Sequence, residues 1–575
     1  MWDVIAVSSM DLVQKAAYEK QLYSIFNGTT LAPSTYFRVY ADEPAGVRIG
    51  SGGAVLSIIA RLYQEFGENL FTFRILLIPA GGYSQRQPNA SILGKLFAPM
   101  PIISSNNFPS PLIELKLRTY EPLLHRMQHG IFLSASDTLE YLGVTDWSKF
   151  DEPILDGTGF VALAHPSNLD VGQQHGVYVL EDSHEQNGHR SHGVGENGEI
   201  HKAVCRRVLQ KPSLETMRRE GAAVFGENNQ EMVYTDSCYY MAPEVVKILL
   251  KAFSYLSPLD CELDAYGDFL QPLGTGSTDD YLSQTAVNAG VQSENLAAAR
   301  RYIYEILRNF PVKILVFPKS RFYHFGTFDE LFHFFCESSN FRKDFNAEKC
   351  AFSVIPRVIA QNPCISITYC NIGNQLICNQ SARVVLEYCR FPAGFVFMVD
   401  GGKCFLSGCS IQQNHKVLIP SSVFMMTSAI QVGTQIRYVT VVFGTQDDLK
   451  ASISTQILRT CAQEKYDFSA LKLFKLFAKN YEIIFDANLP RSLWYARLFP
   501  SFSQMETSFD WTLNLLNAVQ EKKEFNDRNS LTFNNDEQLY SLHDLVMKKA
   551  PDALISYRQR LKCEISDVLK SPKFK

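Results

Sequence analysis

Between Leu76 and Lys95 the chain reads LLIPAGGYSQRQPNASILGK. Two adjacent glycines, one arginine and one lysine follow an apolar run. Gly81 and Gly82 let a backbone come close to a polyphosphate and aim N–H groups at its oxygens, and Ser84 lies in the same turn. Arg86 supplies a planar fork suited to phosphate, and Lys95 a mobile charge able to meet a reacting phosphorus. A glycine turn with two solvated cations is the plainer alternative; the combination favours a bound triphosphate. Upstream, Gly50, Ser51, Gly52 and Gly53 open a helix-like segment, where amides bind an anion or a base edge. This loop lacks the Lys-Ser or Lys-Thr end of a Walker A loop. Asp137, in GIFLSASDTLEYL, stands just past a strand-like run. It suits Mg2+ held against phosphate oxygens, and equally the N-cap of a helix starting at Thr138.

Three further stretches carry chemistry-bearing residues. Lys211 precedes a proline in VLQKPS. Glu262, Asp264 and Asp268 crowd LDCELDAYGDFLQPLG, fit for a metal, for sugar hydroxyls, or for a solvated acidic face. His184, His189, His192 and His201 share a Gly/Asn/Glu-rich segment without apolar anchors, which reads as a loop rather than a metal centre.

These residues need elements to position them. Over residues 1–340, short β-branched or aromatic runs (73–79, 130–136, 160–166, 176–182, 312–318) alternate with segments of helical apolar spacing (54–66, 112–127, 242–256). The expectation is an α/β domain with a mixed, mostly parallel sheet and ligands at the carboxyl ends of its strands. Over 350–450 the texture changes. ISITYCNI, VVLEYCRF and CFLSGCSI align, with Cys370, Cys389 and Cys409, and Ile367, Leu386 and Leu406, in register. A repeat of about twenty residues predicts a parallel β-helix whose thiols stack as small hydrophobes rather than ligate metal. Residues 451–575 read as a mostly helical region with a polar loop near 524–537.

The chain has 575 residues, 46% hydrophobic and 20% charged, with a formal net charge of -4. That balance fits a soluble globular protein and argues against a broad nucleic-acid-binding face. No basic segment followed by an apolar core opens the chain, and no run reaches the ~18 apolar residues of a membrane helix. Thirteen cysteines, an odd number mostly in apolar runs, suggest reduced thiols in a cytoplasmic protein.

AGG, Arg86 and Lys95 resemble the signature of sugar-1-phosphate nucleotidyltransferases, with Ser84 and Gln85 in place of Gly-Thr and Gly94 in place of Pro. The variant form is similar to the fucose-1-phosphate guanylyltransferase (GDP-L-fucose pyrophosphorylase) family. IGSGG, LIELKL, ALAHPS, HGVYVL, KPS, YTDS, DAYGDFLQ, FYHFGT, FGTQDDLK, SLWYARLFP and LNAV follow in the same order over nearly the whole chain. The resemblance implies a Rossmann-like nucleotidyltransferase domain and the stand-alone form without a fused fucokinase. The reaction it implies joins GTP and β-L-fucose 1-phosphate into GDP-L-fucose and pyrophosphate, with Mg2+. The amides of Gly81 and Gly82 would hold the triphosphate, Arg86 the leaving pyrophosphate and Lys95 the α-phosphate. Asp137 would hold Mg2+. Relatives tend to carry two acids where this chain has Ser136-Asp137, which bears on the metal geometry. Lys211 would meet the sugar phosphate, and Asp264 a second metal position or a fucose hydroxyl. Tyr323, His324 and Thr327 are placed near the sugar by resemblance, and guanine would be read by the Gly50–Gly53 loop. A homo-oligomer through the β-helix or the helical tail is a further expectation. The rivals are another sugar-1-phosphate nucleotidyltransferase and a non-catalytic nucleotide-sugar-binding protein.

Overall fold

The computed structural model describes all residues except 28–34, 151, 182–199, 227–228, 284–293, 356–363, 374–375, 379–380, 392–395, 400–401, 412–415, 420–421, 454–484, 487, 521–537 and 572–575. His184, His189 and His192 lie outside the described residues, as do residues 454–484 and the polar stretch 524–537 of the region expected to be mostly helical. The chain forms two compact units: Met1–Gly82 with Ile113–His324, and Tyr83–Leu112 with Phe325–Lys575. Arg86 and Lys95 therefore belong to the second unit, while the glycine pair before them ends the first stretch of the other.

The first unit is organised on a sheet of ten strands. Its elements begin with β1 (Val4–Ser9), α1 (Leu12–Phe26), β2 (Tyr36–Ala41), α2 (Gly50–Phe66) and β3 (Arg74–Ile78). After an excursion that carries β4 (Pro99–Ile103) and β5 (Pro109–Pro111) come α3 (Leu112–Leu124), β6 (Gly130–Ser134), β7 (Thr138–Tyr141), β8 (Phe160–Ser167) and β9 (Gly176–Leu180). Then follow β10 (His201–Gln210), β11 (Val224–Phe225), β12 (Glu231–Met241), β13 (Val312–Val316) and β14 (Arg321–His324). The sheet order is β2-β1-β3-β6-β12-β8-β13-β10-β9. All the expected strands and helices of this region form, because each combines an apolar run of the right period with a Gly, Pro or Asp boundary.

The expectation of a mostly parallel sheet needs correction. Pairing is parallel over β2, β1, β3 and β6, and between β8 and β13. The long strands β10 and β12 pair antiparallel with their neighbours. In β12, nine of eleven residues are buried, Tyr234 through Met241 among them, so it sits within the sheet like a parallel core strand although its direction is reversed. The core beneath includes Val55, Ile59 and Leu62 of α2, Ile75 and Leu77 of β3, Leu133 of β6 and Leu249 of the helix Pro243–Leu256.

In the second unit β15 (Cys350–Ala351), β16 (Ile365–Thr368), β19 (Arg383–Glu387), β22 (Lys403–Ser407) and β24 (Val423–Val432) form one parallel ladder, closed by the antiparallel β25 (Gln435–Gly444). Ile367 pairs with Leu386, and Leu386 with Leu406. This is the register that the repeat predicts. Short strands β17 (Asn371–Ile372) and β20 (Arg390–Phe391) form a second ladder, and β18 (Leu376–Cys378), β21 (Val396–Val399) and β23 (Lys416–Ile419) a third. Cys370, Cys389 and Cys409 are fully buried, and the Cys389 amide donates to Cys370 Sγ at 3.4 Å. Among the described cysteines all thiols are free.

Candidate active site

The glycine turn after β3 is held from β1. Ser8 Oγ accepts the amides of Ala80 and Gly81 at 2.9 and 3.0 Å, and the Tyr18 hydroxyl donates to the Ala80 carbonyl at 3.0 Å. The expected role of Gly81 changes accordingly. Its N–H is engaged within the protein, and the residue serves as the wall of a tight turn. Gly82 follows with φ of +100°, a conformation that glycine adopts without strain.

The Gly50–Gly53 loop also differs from expectation. The Gly52 amide donates to the Leu263 carbonyl at 2.8 Å, and Ser51 Oγ accepts the Ala265 amide at 2.9 Å. A Cβ on Gly50, at φ +72°, would lie 2.1 Å from the Leu263 oxygen. These glycines allow a helix start to dock onto the 263–265 backbone; the Gly52 amide is not presented to a base.

Asp137 is not a helix cap, because Thr138–Tyr141 is the strand β7 rather than a helix. β7 pairs with β14, Thr138 opposite His324. That register brings His324 Nε2 to 3.6 Å from Asp137 Oδ2, each side chain about one-fifth exposed. His324 packs edge-on against His175, centroids 4.8 Å apart. Tyr323 is buried at the same strand. An accessible carboxylate at a strand end is the hard oxygen donor that Mg2+ takes, so Asp137 fits that ion.

A second group gathers around Lys211. Its amide donates to the His175 carbonyl at 3.0 Å, with φ of +47°. Burial pushes the Asp236 carboxyl up to about 7; Asp264 adds to the shift, and Lys211 and the Gly176 amide oppose it. Asp236 Oδ1 accepts that amide at 3.0 Å, and a Cβ on Gly176 would meet Oδ2 at 2.2 Å. Lys211, Asp236 and Asp264 thus share one electrostatic neighbourhood. The three carboxylates near 264 do not converge. Glu262 pairs with Arg48 at 3.1 Å, and Asp268 with Arg300 in a buried pair at 2.8 Å. Asp264 Oδ1 accepts the amides of Tyr266 and Gly267, which commits one of its oxygens to the turn.

In the second unit Ser84, at φ +47°, begins the turn that carries Arg86, with the Gln87 amide donating to its carbonyl at 2.8 Å. Arg86 is exposed and Lys95 half-buried, at the start of a short turn after Gly94. A cavity of about 220 Å3 is lined by Gln85, Arg86, Thr327 and the Gly444–Lys450 loop. Gln87 Nε2 donates to the Thr327 carbonyl at 3.1 Å. The Thr327 hydroxyl is engaged in a capping box with Glu330.

The fucose pyrophosphorylase domain matches residues 67–504. The chain belongs to the fucose pyrophosphorylase family. Over 593 residues it is 32% identical to the fucose-1-phosphate guanylyltransferase of Homo sapiens, covering 98% of this chain and 91% of that protein. The Mus musculus enzyme of the same name is 32% identical over 98% of this chain and 93% of its own length. The bifunctional fucokinase/GDP-fucose pyrophosphorylase of Arabidopsis thaliana is 28% identical over 38% of this chain and 22% of its own length.

The matched span of this family begins at residue 67, after β1, α1, β2 and the whole of α2. Ser8, which holds the glycine turn, therefore lies outside it. Sequence reasoning passed over several polar groups beneath the site. Lys116 Nζ, fully buried, donates to Ser134 Oγ, Thr138 Oγ1 and Tyr120 Oη at 2.8, 3.1 and 3.2 Å. His165 is clamped between the hydroxyls of Ser237 and Ser320, each at 2.7 Å, and burial lowers it to about 4. The signals were present: a lysine among Ile113, Leu117 and Tyr120 on the apolar face of α3, and an aspartate inside the apolar run of β12.

Proposed function

We propose that this protein transfers GMP from GTP to β-L-fucose 1-phosphate, releasing pyrophosphate and forming GDP-L-fucose. The observation that carries this is likeness over 98% of the chain to the human guanylyltransferase, with the family domain over residues 67–504. The sugar phosphate oxygen attacks the α-phosphorus in line with the departing pyrophosphate, and the protein's task is to align two anions and cancel their charge. Arg86 neutralises the leaving pyrophosphate and Lys95 the charge gathering on the α-phosphate. The turn at Gly81–Gly82 seats the nucleotide, with Ser84 following it. Lys211 receives the sugar's phosphate, and its neighbours Asp236 and Asp264 accept sugar hydroxyls.

Mg2+, when bound, would offset phosphate charge and orient the α-phosphate; Asp137 is the residue proposed to hold it, with His324 supporting that carboxylate. The parallel ladders of the second unit are inferred to be coils of a β-helix, supported by the continuous register from Cys350 to Met426. Among the described residues no helix is long and apolar enough to cross a membrane, and free buried thiols support a cytoplasmic setting. Incubation with GTP, Mg2+ and β-L-fucose 1-phosphate should yield a product of GDP-fucose mass and stoichiometric pyrophosphate. Faster pyrophosphate release with a different hexose 1-phosphate or nucleotide would replace this reading with another nucleotidyltransferase. GDP-fucose binding without product would favour a non-catalytic protein.

A further inference from the structure

β2, β1 and β3 are neighbours and parallel. Their carboxyl ends bring Asp42, Ser8–Ser9 and Ala80–Gly82 to one edge, the place where open α/β sheets bind ligands. Asp42 is anchored by its own amide, which donates to the Ser9 carbonyl at 2.8 Å. Its carboxylate lies against the glycine turn, for a Cβ on Gly81 would stand 2.5 Å from Asp42 Oδ2. The residue keeps a window to solvent. Among the described residues no hydrogen-bond donor or cation meets that carboxylate, and burial alone pushes it up to about 7. An unpaired carboxylate withdrawn from water is costly unless something supplies donors.

The missing donors belong to a ligand. A carboxylate beside a phosphate-binding turn repels phosphates, so it faces the uncharged nucleoside end of a nucleotide seated there. Guanine presents N1–H and N2–H2 side by side, two parallel donors matched to two carboxylate oxygens. Adenine, cytosine and uracil each place an acceptor in at least one of those positions. In the Gly50–Gly53 loop, whose backbone groups were expected to read the base, the Gly52 amide is engaged by the Leu263 carbonyl. We propose that Asp42 selects guanine, accepting N1–H and N2–H2 through its two oxygens. This rests on the reading above that the nucleotide sits at the Gly81–Gly82 turn.

Asp42→Asn tests it in the full-length protein. The substitution is nearly isosteric, and thermal unfolding checks the fold. Asparagine offers one acceptor and one donor, the complement of xanthine N1–H and O2. The expected result is a fall in kcat/KM for GTP of roughly 100-fold and a GTP:ITP preference reduced to within a few-fold of one. XTP turnover relative to GTP should rise at least about tenfold, with the GTP:2′-dGTP ratio unchanged. A merely structural role would lower all nucleotides alike and would not favour XTP. An unchanged GTP:ITP ratio, or a change confined to 2′-dGTP, overturns the proposal, the latter pointing to the ribose. Lys95→Ala, assayed beside it, separates the two failures. If it abolishes turnover while Asp42→Asn keeps wild-type selectivity, the base is read elsewhere over an intact active site. If neither variant alters GTP turnover, the assignment of the nucleotide site itself fails.

Discussion

The Lys116 ammonium donates a 2.8 Å hydrogen bond to the Ser134 hydroxyl at the end of β6. A second bond reaches Thr138, so one fully buried cation ties together both flanks of the loop that carries Asp137. Tyr120 joins the same group and donates to Glu140. Lys116→Met should leave these oxygens without their charged donor, at a cost of about 3 kcal/mol. If the network holds Asp137 in place, activity should fall about 10–100-fold, with a higher Mg2+ requirement. Titrating Mg2+ against turnover checks this; an unchanged requirement would make Lys116 purely structural.

Lys95→Ala should reduce turnover by about 10²–10³ while leaving the thermal unfolding midpoint near that of the parent protein, since Lys95 is only half-buried. Arg86 is exposed, so Arg86→Ala should likewise leave the fold intact and slow pyrophosphate formation. Steady-state kinetics with both substrates varied measures each effect.

Acid should weaken the fold through His165. Its folded-state value is lowered from 6.5 to about 4 by burial between two serine hydroxyls. The unfolded chain therefore takes up the proton first. The contribution of the neutral ring is complete above pH 6.5 and is lost as pH falls toward 4. Between pH 7 and pH 5 the loss amounts to about 2 kcal/mol. Denaturant unfolding at the two pH values, compared with His165→Gln, measures it; the variant should show a smaller difference.

The buried pair Asp268–Arg300 gives a stability prediction remote from phosphate chemistry. Arg300→Met leaves Asp268, none of whose side chain is exposed, without its cation. Burial already pushes Asp268 up to about 6 with the arginine present. The loss should be about 3–5 kcal/mol, read by chemical denaturation at pH 7.5. The deficit should shrink as the pH is lowered and the carboxyl becomes neutral.

Gly50→Ala should cost about 2–3 kcal/mol, because the new Cβ meets the Leu263 oxygen in a backbone conformation that alanine resists. Gly46→Ala is the control: it shares a positive φ, of +79°, but its Cβ would meet nothing within 4 Å. The difference between the two melting curves isolates the helix docking.

Periodicity was enough to locate the strands around the glycine turn, α2, α3 and the register Ile367–Leu386–Leu406, because each depends on neighbours within one run or one repeat. The same local patterns are silent on partners far along the chain. Gly81 and Gly52 are alike in sequence, glycines in apparent anion loops; only the approach of Ser8 and of Leu263 shows that both amides are already engaged. Asp137 was legible as a carboxylate at a strand end, but its neighbour His324 arrives through a β7–β14 pairing across nearly two hundred residues. Asp42 and Lys116 carry no motif, and the burial of their charged groups is a property of packed surroundings. The chemistry of a side chain is written in its own residue type, whereas its charge state, its freedom to bind and its company are set by whatever the fold brings against it.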